Sequence, residues 1–281
     1  MLASFGGDQA EGLRRMLGGP KSRIVTFLSA ATSEEKGATL INLGASLTQS
    51  GSNVLLLDVC TSQQGVSSRL DGIRGVTLMQ VARREGVLDD AIQSVPQGFG
   101  IAALMRGPQR AGPPDAQQVQ RLADVFTELA TRADIVLVDA ELGDSELFPI
   151  PALATNEIVV QVANTPASIT SAYSIIKRLN GQMGRRPCSI LVTGASEKEA
   201  QVVYRNMAQA ANRYLAVKLT SMGFVPADEH LTRAARLGRA VVDAFPLAGA
   251  SVAFRRLAGK FSLPAPEEMH GFSADDANLV I

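Results

Sequence analysis

A doubly wound α/β domain with a mostly parallel sheet is the fold that this sequence predicts. Three observations predict it. From residue 23 to about 262, short apolar runs alternate with helical patterns and no composition break marks a second domain. Several of the runs are continuously apolar rather than alternating, as in Val54-Leu55-Leu56-Leu57 and Ile135-Val136-Leu137-Val138. That pattern belongs to parallel strands covered on both faces. The chain is also long enough, at 281 residues and 46% hydrophobic, to build one large core.

The elements follow in order. Residues 1–22 form a unit of their own: Asp8 is a natural N-cap, Gly18-Gly19-Pro20 stops the helix, and Ala10, Leu13 and Leu17 share one face with Met16 beside them. Ten residues are too few for a helix that stands alone in water, so this one needs a surface to dock on. Strands are expected at 23–28, 53–58, 99–103, 134–139, 157–162, 188–193 and 222–225. Helices are expected at 37–50, 76–83, 88–93, 115–132, 168–183, 197–214, 230–238 and 249–261. Arg106 to Pro114 reads as a Gly/Pro/Gln-rich loop, and 263–281 as a flexible tail made acidic by Glu267, Glu268, Asp275 and Asp276. Ligands of such a sheet bind at the carboxyl ends of its strands.

Composition narrows the function. A formal net charge of zero gives no electrostatic case for binding nucleic acid. The two cysteines, Cys60 and Cys188, lie far apart with no metal spacing, which reads as a reducing, cytoplasmic setting without a disulfide. Cys60 has no His partner near it in sequence and reads as a small core or loop residue; His230 and His270 read as surface residues. Arg205, Arg213, Arg233, Arg236 and Arg239 read as solvated helix faces. No apolar run reaches the ~18 residues of a membrane span, and the first residues lack a secretion pattern.

The chemistry-bearing segment lies between the first strand and the first helix. Ser29-Ala30-Ala31-Thr32-Ser33-Glu34-Glu35-Lys36-Gly37-Ala38-Thr39 occupies the place of a phosphate-binding loop. Such a loop uses glycines to bring backbone N–H groups to the phosphates, a Lys to reach them, and a Ser/Thr to hold Mg²⁺. Lys36 is present; the glycines before it are not, and Glu34 and Glu35 stand among them.

The ordered motifs resemble the MinD/ParA group of P-loop ATPases and, within it, the FlhG/FleN-type regulators of flagellar number. Asp8-Gln9-Ala10-Glu11-Gly12-Leu13-Arg14 resembles the activator helix of that subfamily. Lys36 and Asn42, Leu57-Asp58, Asp134 to Gly143, Thr165-Pro166 to Tyr173, Gly223 to Asp228, and Phe245-Pro246 resemble its later motifs in order. The resemblance covers about residues 8–262. It implies a MinD/ParA-like nucleotide fold and nucleotide-site positions at Lys36, Gly37, Thr39, Asp58, Asp139 and Asp228. It implies docking of a FlhF-type GTPase on Asp8, Gln9, Ala10, Leu13 and Arg14, with Gln9 approaching the GTPase nucleotide. A flagellar C-ring component or transcription activator is implied as a further partner, a homodimer is left open, and a polar location would come through partners.

The departures from the family pattern carry as much weight. Ala31 stands at the lysine that reaches a partner's nucleotide, Gly37 at the Mg²⁺-binding Thr, and Cys60 at the second acid of an Asp-x-Asp pair. Like charges near 4 Å repel by ~1 kcal/mol in bulk water and ~4 at an effective dielectric of 20. Glu34 and Glu35 would therefore oppose a polyphosphate, unless a slipped loop turned them to solvent and brought Thr39 to the Mg²⁺ position. Asp58 and Asp139 then read as inherited acids bonded to nearby loops, and Lys36 as a partner for Glu34, Glu35 or Asp139. The expected function is a flagellar regulator with little or no ATP hydrolysis and no resident cofactor, ATP and Mg²⁺ entering only if the altered loop still works. The alternatives are an active ATPase cycling between cytosol and membrane, and a partition- or division-type positioning protein. Membrane binding by Val252, Phe254, Leu257 and Phe261 is disfavoured, because the acidic tail after them would be repelled by anionic lipid.

Overall fold

The computed structural model describes residues 22–62, 64–70, 72–106, 116–142, 148, 150, 153 and 156–261. The helix expected within 1–22, the acidic tail and all but the first residue of the 106–114 loop lie outside the described residues. Eight strands form one sheet: β1 (Arg23–Ser29), β2 (Val54–Asp58), β3 (Gln93–Ser94), β4 (Gly100–Ala103), β5 (Ile135–Asp139), β6 (Glu157–Ala163), β7 (Cys188–Thr193) and β8 (Leu219–Val225). Their order is β3-β4-β2-β5-β1-β6-β7-β8. Every pairing is parallel except that of β3 with β4. The two-residue β3 was not expected, because two residues carry no periodicity to read.

The central strands explain their own sequences. All five residues of β2 and all five of β5 are buried. Leu55, Leu57, Val136 and Val138 enter the core on one face, and Val54, Leu56, Ile135 and Leu137 the core on the other. A strand buried on both faces leaves no position for a polar residue until its end, where Asp58 and Asp139 sit side by side in register.

The helices, in chain order, are α1 (Ser33–Gln49), α2 (Leu78–Ala82), α3 (Leu88–Ala91), α4 (Ala116–Ala130), α5 (Pro166–Met183), α6 (Glu197–Leu215), α7 (Glu229–Arg236), α8 (Val241–Ala244) and α9 (Gly249–Phe261). Leu40, Leu43 and Leu47 of α1 share a core with Phe254, Leu257 and Phe261 of α9. The apolar side chains considered for membrane contact in α9 are thus spent on the interior, and only Val252 among them is exposed. The four-residue α8 was not expected. β8 begins at Leu219 rather than 222; three of its residues, Leu219, Met222 and Val225, are buried, and Gly223 at φ 132° breaks the pattern that would have revealed it.

The main correction concerns α1, which starts at Ser33 and not at 37. Thr32 is its N-cap: Thr32 Oγ1 accepts from the Glu35 N–H at 3.2 Å, and Glu35 Oε2 accepts from the Thr32 N–H at 3.0 Å. Thr-x-x-Glu is a capping box, so Glu35 serves the helix start rather than a loop. Replacing Thr32 by Ala should lower stability by about 1 kcal/mol in urea unfolding, while Thr32→Ser should stay near wild type.

Candidate functional site at the carboxyl ends of β1, β2 and β5

From β1 the chain runs outward to β2 and β4, and after β5 it passes β1 again to reach β6, β7 and β8. The crevice of a doubly wound sheet lies where the strand order reverses, here beyond the carboxyl end of β1. α1 follows β1 into this position, and the first turn of α1 carries Lys36 inward. Its Nζ lies 2.6 Å from Asp139 Oδ1, with the two side chains 9% and 0% exposed. The same Nζ donates to Cys60 Sγ at 3.4 Å. Lys36 is thus an internal partner of Asp139. Glu34 and Glu35, the other two candidates, are exposed.

The two acids tie down the loop after β2. Asp58 Oδ1 accepts from the Cys60 N–H at 3.0 Å, and Asp58 Oδ2 from the Ser67 N–H at 2.9 Å and from the Ser67 hydroxyl. Asp139 Oδ2 accepts from the Val66 N–H at 2.7 Å. Gly65 allows this approach, since a Cβ there would lie 2.2 Å from the Asp58 carboxylate oxygens. Val66–Arg69 closes as a 3-10 turn, and Arg69 Nη2 reaches back to donate to Ser33 Oγ at 3.0 Å. Arg69 lies over Gly37, whose missing Cβ would fall 2.3 Å from Arg69 Cδ. Gly37, read from sequence as a lost hydroxyl, is thus a gap that the arginine fills. Asp58, Cys60 and Asp139 form a buried cluster of ligand-type atoms, and the positive charge beside Cys60 and Asp139 is the Lys36 ammonium.

Burial opposes a charge on Lys36, but the Asp139 carboxylate and the Cys60 sulfur beside it outweigh this and hold its pKa above the ordinary 10.5. Burial pushes Asp139 up despite Lys36, and neighbouring Asp58 pushes the same way. The Cys60 thiol is driven far up by burial and by Asp139, and is no nucleophile. Cys188 is pushed up to about 12 by burial and is equally inert.

The remaining sequence candidates are engaged in framework roles. Thr39 is buried and accepts from Gln161 Nε2 at 3.2 Å. Asn42 Oδ1 accepts from the Val241 N–H at 2.6 Å, joining α1 to α8. Thr165 caps α5, and Ser168 Oγ bonds both the Ala163 N–H and the Ala30 carbonyl. Asp228 lies beyond β8, three strands from β1. It accepts from the His230 N–H at 2.9 Å and the Ala250 N–H at 2.9 Å, joining the starts of α7 and α9. Burial would raise the Asp228 carboxyl, but those two N–H donors hold it below the ordinary range. The His230 ring lies tilted against Phe245 at 4.7 Å between centroids and hydrogen-bonds to Asp228, so it is half-buried rather than a surface group. Asp8, Gln9, Ala10, Leu13 and Arg14 lie outside the described residues. Sequence reasoning did not single out Arg69 or Glu141, and only the Glu141 position, two residues after Asp139, offered a signal.

A lysine in the first turn after β1, with acids closing β2 and β5, defines a protein of the MinD/ParA P-loop ATPase fold. A chain of the MinC:MinD cell division protein complex of Aquifex aeolicus superposes with a TM-score of 0.64 at 18% identity, covering 88% of this chain and 98% of that one. No protein-family model matches the chain. An uncharacterized ATP-binding protein of Methanocaldococcus jannaschii is 24% identical over 224 residues, 78% of this chain and 80% of that protein. The antiactivator FleN of Pseudomonas aeruginosa is 30% identical over 233 residues, 82% of this chain and 83% of FleN. The chain belongs to the FleN (FlhG) family of flagellar-number regulators.

Removing one member of a buried pair strands the other charge. Lys36→Met should cost about 3 kcal/mol at pH 7, and Lys36→Met with Asp139→Leu should recover most of it. The lysine pKa is raised on folding, so its stabilisation is complete below pH 10.5 and fades as pH rises through the folded-state value. Urea unfolding across pH 7–11.5 should show this alkaline fall in the wild type and not in Lys36→Met.

Proposed function

We propose that this chain regulates flagellar assembly by binding and stimulating a FlhF-type GTPase through Asp8, Gln9, Ala10, Leu13 and Arg14, and that its nucleotide site has become a structural brace. The first half rests on the FleN kinship and on the Asp8-to-Arg14 motif. The observation that carries the second half is the Lys36 ammonium 2.6 Å from Asp139.

The residues present do not fit Mg·ATP. The lysine that would meet the phosphates is consumed by an internal acid, and the hydroxyl that would hold the metal is absent at Gly37. Arg69 fills the space above Gly37. The backbone that would form the amide cradle is instead a capped helix turn, with the Glu35 N–H already bonded to Thr32. Helix starts attract anions through free N–H groups, and capping withdraws one of them. The expected repulsion by Glu34 and Glu35 is not the obstacle, because both side chains are exposed. Sequence likeness to a protein described as ATP-binding favours the alternative of a working ATPase; the pairing of Lys36 stands against it.

The C-ring component or transcription activator remains a proposed second partner, served by the globular domain. Among the described residues no helix is long and apolar enough to cross a membrane. A polar position, on this reading, comes through partners.

The test is GTP hydrolysis by the cognate FlhF-type GTPase with the full-length chain added. Stimulation should appear without ATP, persist unchanged when Mg·ATP is supplied, and drop to the basal rate with Gln9→Ala. No stimulation under either condition would refute the partner assignment. Stimulation that requires ATP would refute the brace.

A further inference from the structure

We propose that Glu141 is a built-in anion that clasps the loop after β2, holding Thr61 and Ser62 in one arrangement without any ligand. Glu141 leaves β5 two residues beyond Asp139, next to the point where the chain leaves β2. Its Oε1 accepts from the Thr61 N–H at 2.7 Å, the Ser62 N–H at 2.7 Å and the Thr61 hydroxyl at 2.8 Å. Its Oε2 accepts from the Ser62 hydroxyl at 2.8 Å. Two successive backbone N–H groups aimed at one oxygen form an anion-binding concavity, and two hydroxyls complete it. The anion in that concavity is supplied by the chain.

The electrostatics agree with the geometry. Burial would raise the Glu141 carboxyl, yet the donors of Ser62 and Thr61 hold it below the ordinary 4.5. Farther along the chain, like chemistry acts from the same side, with Val66 on Asp139 and Ser67 on Asp58. Three carboxylates carried by the ends of β2 and β5 thus hold one loop, and Arg69 pins its far end to α1. The clasp borders a cleft of about 260 Å³ lined by Lys36, Arg178, Ser62 and Glu141.

The inference builds on the reading that no nucleotide acts at this site, but the two can fail separately. Hydrogen exchange of the full-length protein, followed by mass spectrometry with fragments spanning 60–62, 65–68 and the β5 strand, is the experiment. Glu141→Ala removes the charged acceptor of the Thr61 and Ser62 N–H groups, so exchange at those two amides should speed by at least about tenfold. Exchange in 65–68 and β5 should stay at the wild-type rate, because Asp58 and Asp139 remain. Glu141→Gln, which keeps one acceptor oxygen, replaces the other with an amide donor and removes the charge, should fall between. Unchanged exchange at 60–62 in Glu141→Ala would overturn the clasp, and so would loosening spread evenly over the domain. Mg·ATP added to the wild type reports on the other reading: altered exchange at Lys36 and 60–62 would refute the brace, while the clasp would still be judged by the variants.

Discussion

The buried pair of Lys36 and Asp139 is the constraint on which the rest of this structure depends. Taking an ammonium and a carboxylate out of water costs several kcal/mol for each ion, and only close contact with further hydrogen bonding offsets that cost. Here the contact is 2.6 Å, and the second carboxylate oxygen is satisfied by the Val66 N–H. The pair fixes the rotation of α1, because the residue that points at Asp139 must be the fourth of its first turn. It also fixes the loop after β2, since Asp139 holds that loop with the oxygen that Lys36 leaves free.

Several otherwise unrelated residues then share one explanation. Thr32 and Glu35 start the helix early enough for Lys36 to reach inward. Gly37 leaves room for Arg69, which closes the loop over that turn. Gly65 lets the backbone lie against Asp58. Cys60, small and apolar, sits against the lysine where a second acid would add negative charge beside Asp58 and Asp139. In this chain the charges around Asp139 come from its own side chains, Lys36 above all.

Much of the fold was legible because burial on both faces writes an unmistakable pattern. Val54 to Leu57 and Ile135 to Val138 could be nothing but central strands, and the acids that end them followed directly. The start of α1 was misread although Thr32-Ser33-Glu34-Glu35 spells a capping box. Alignment to a phosphate loop drew the boundary to 37, and local capping overrode it. β8 was shortened by Gly223, and α8 is one turn long, below what periodicity resolves. At the site, the choice of Asp139 among three acids as the partner of Lys36 was open in the sequence and is settled by burial. The roles of Arg69 and Glu141 were illegible, because Arg69 meets the start of α1 across 36 residues of chain and Glu141 meets Thr61 across 80.

Isothermal titration calorimetry of Mg·ATP into the purified full-length protein distinguishes a structural lysine from a nucleotide-binding one. With Lys36 committed to Asp139, no saturable heat is expected up to millimolar nucleotide, and the same silence with Mg·ADP. A stoichiometric site of micromolar affinity for Mg·ATP in the wild-type chain would contradict the structural role of Lys36.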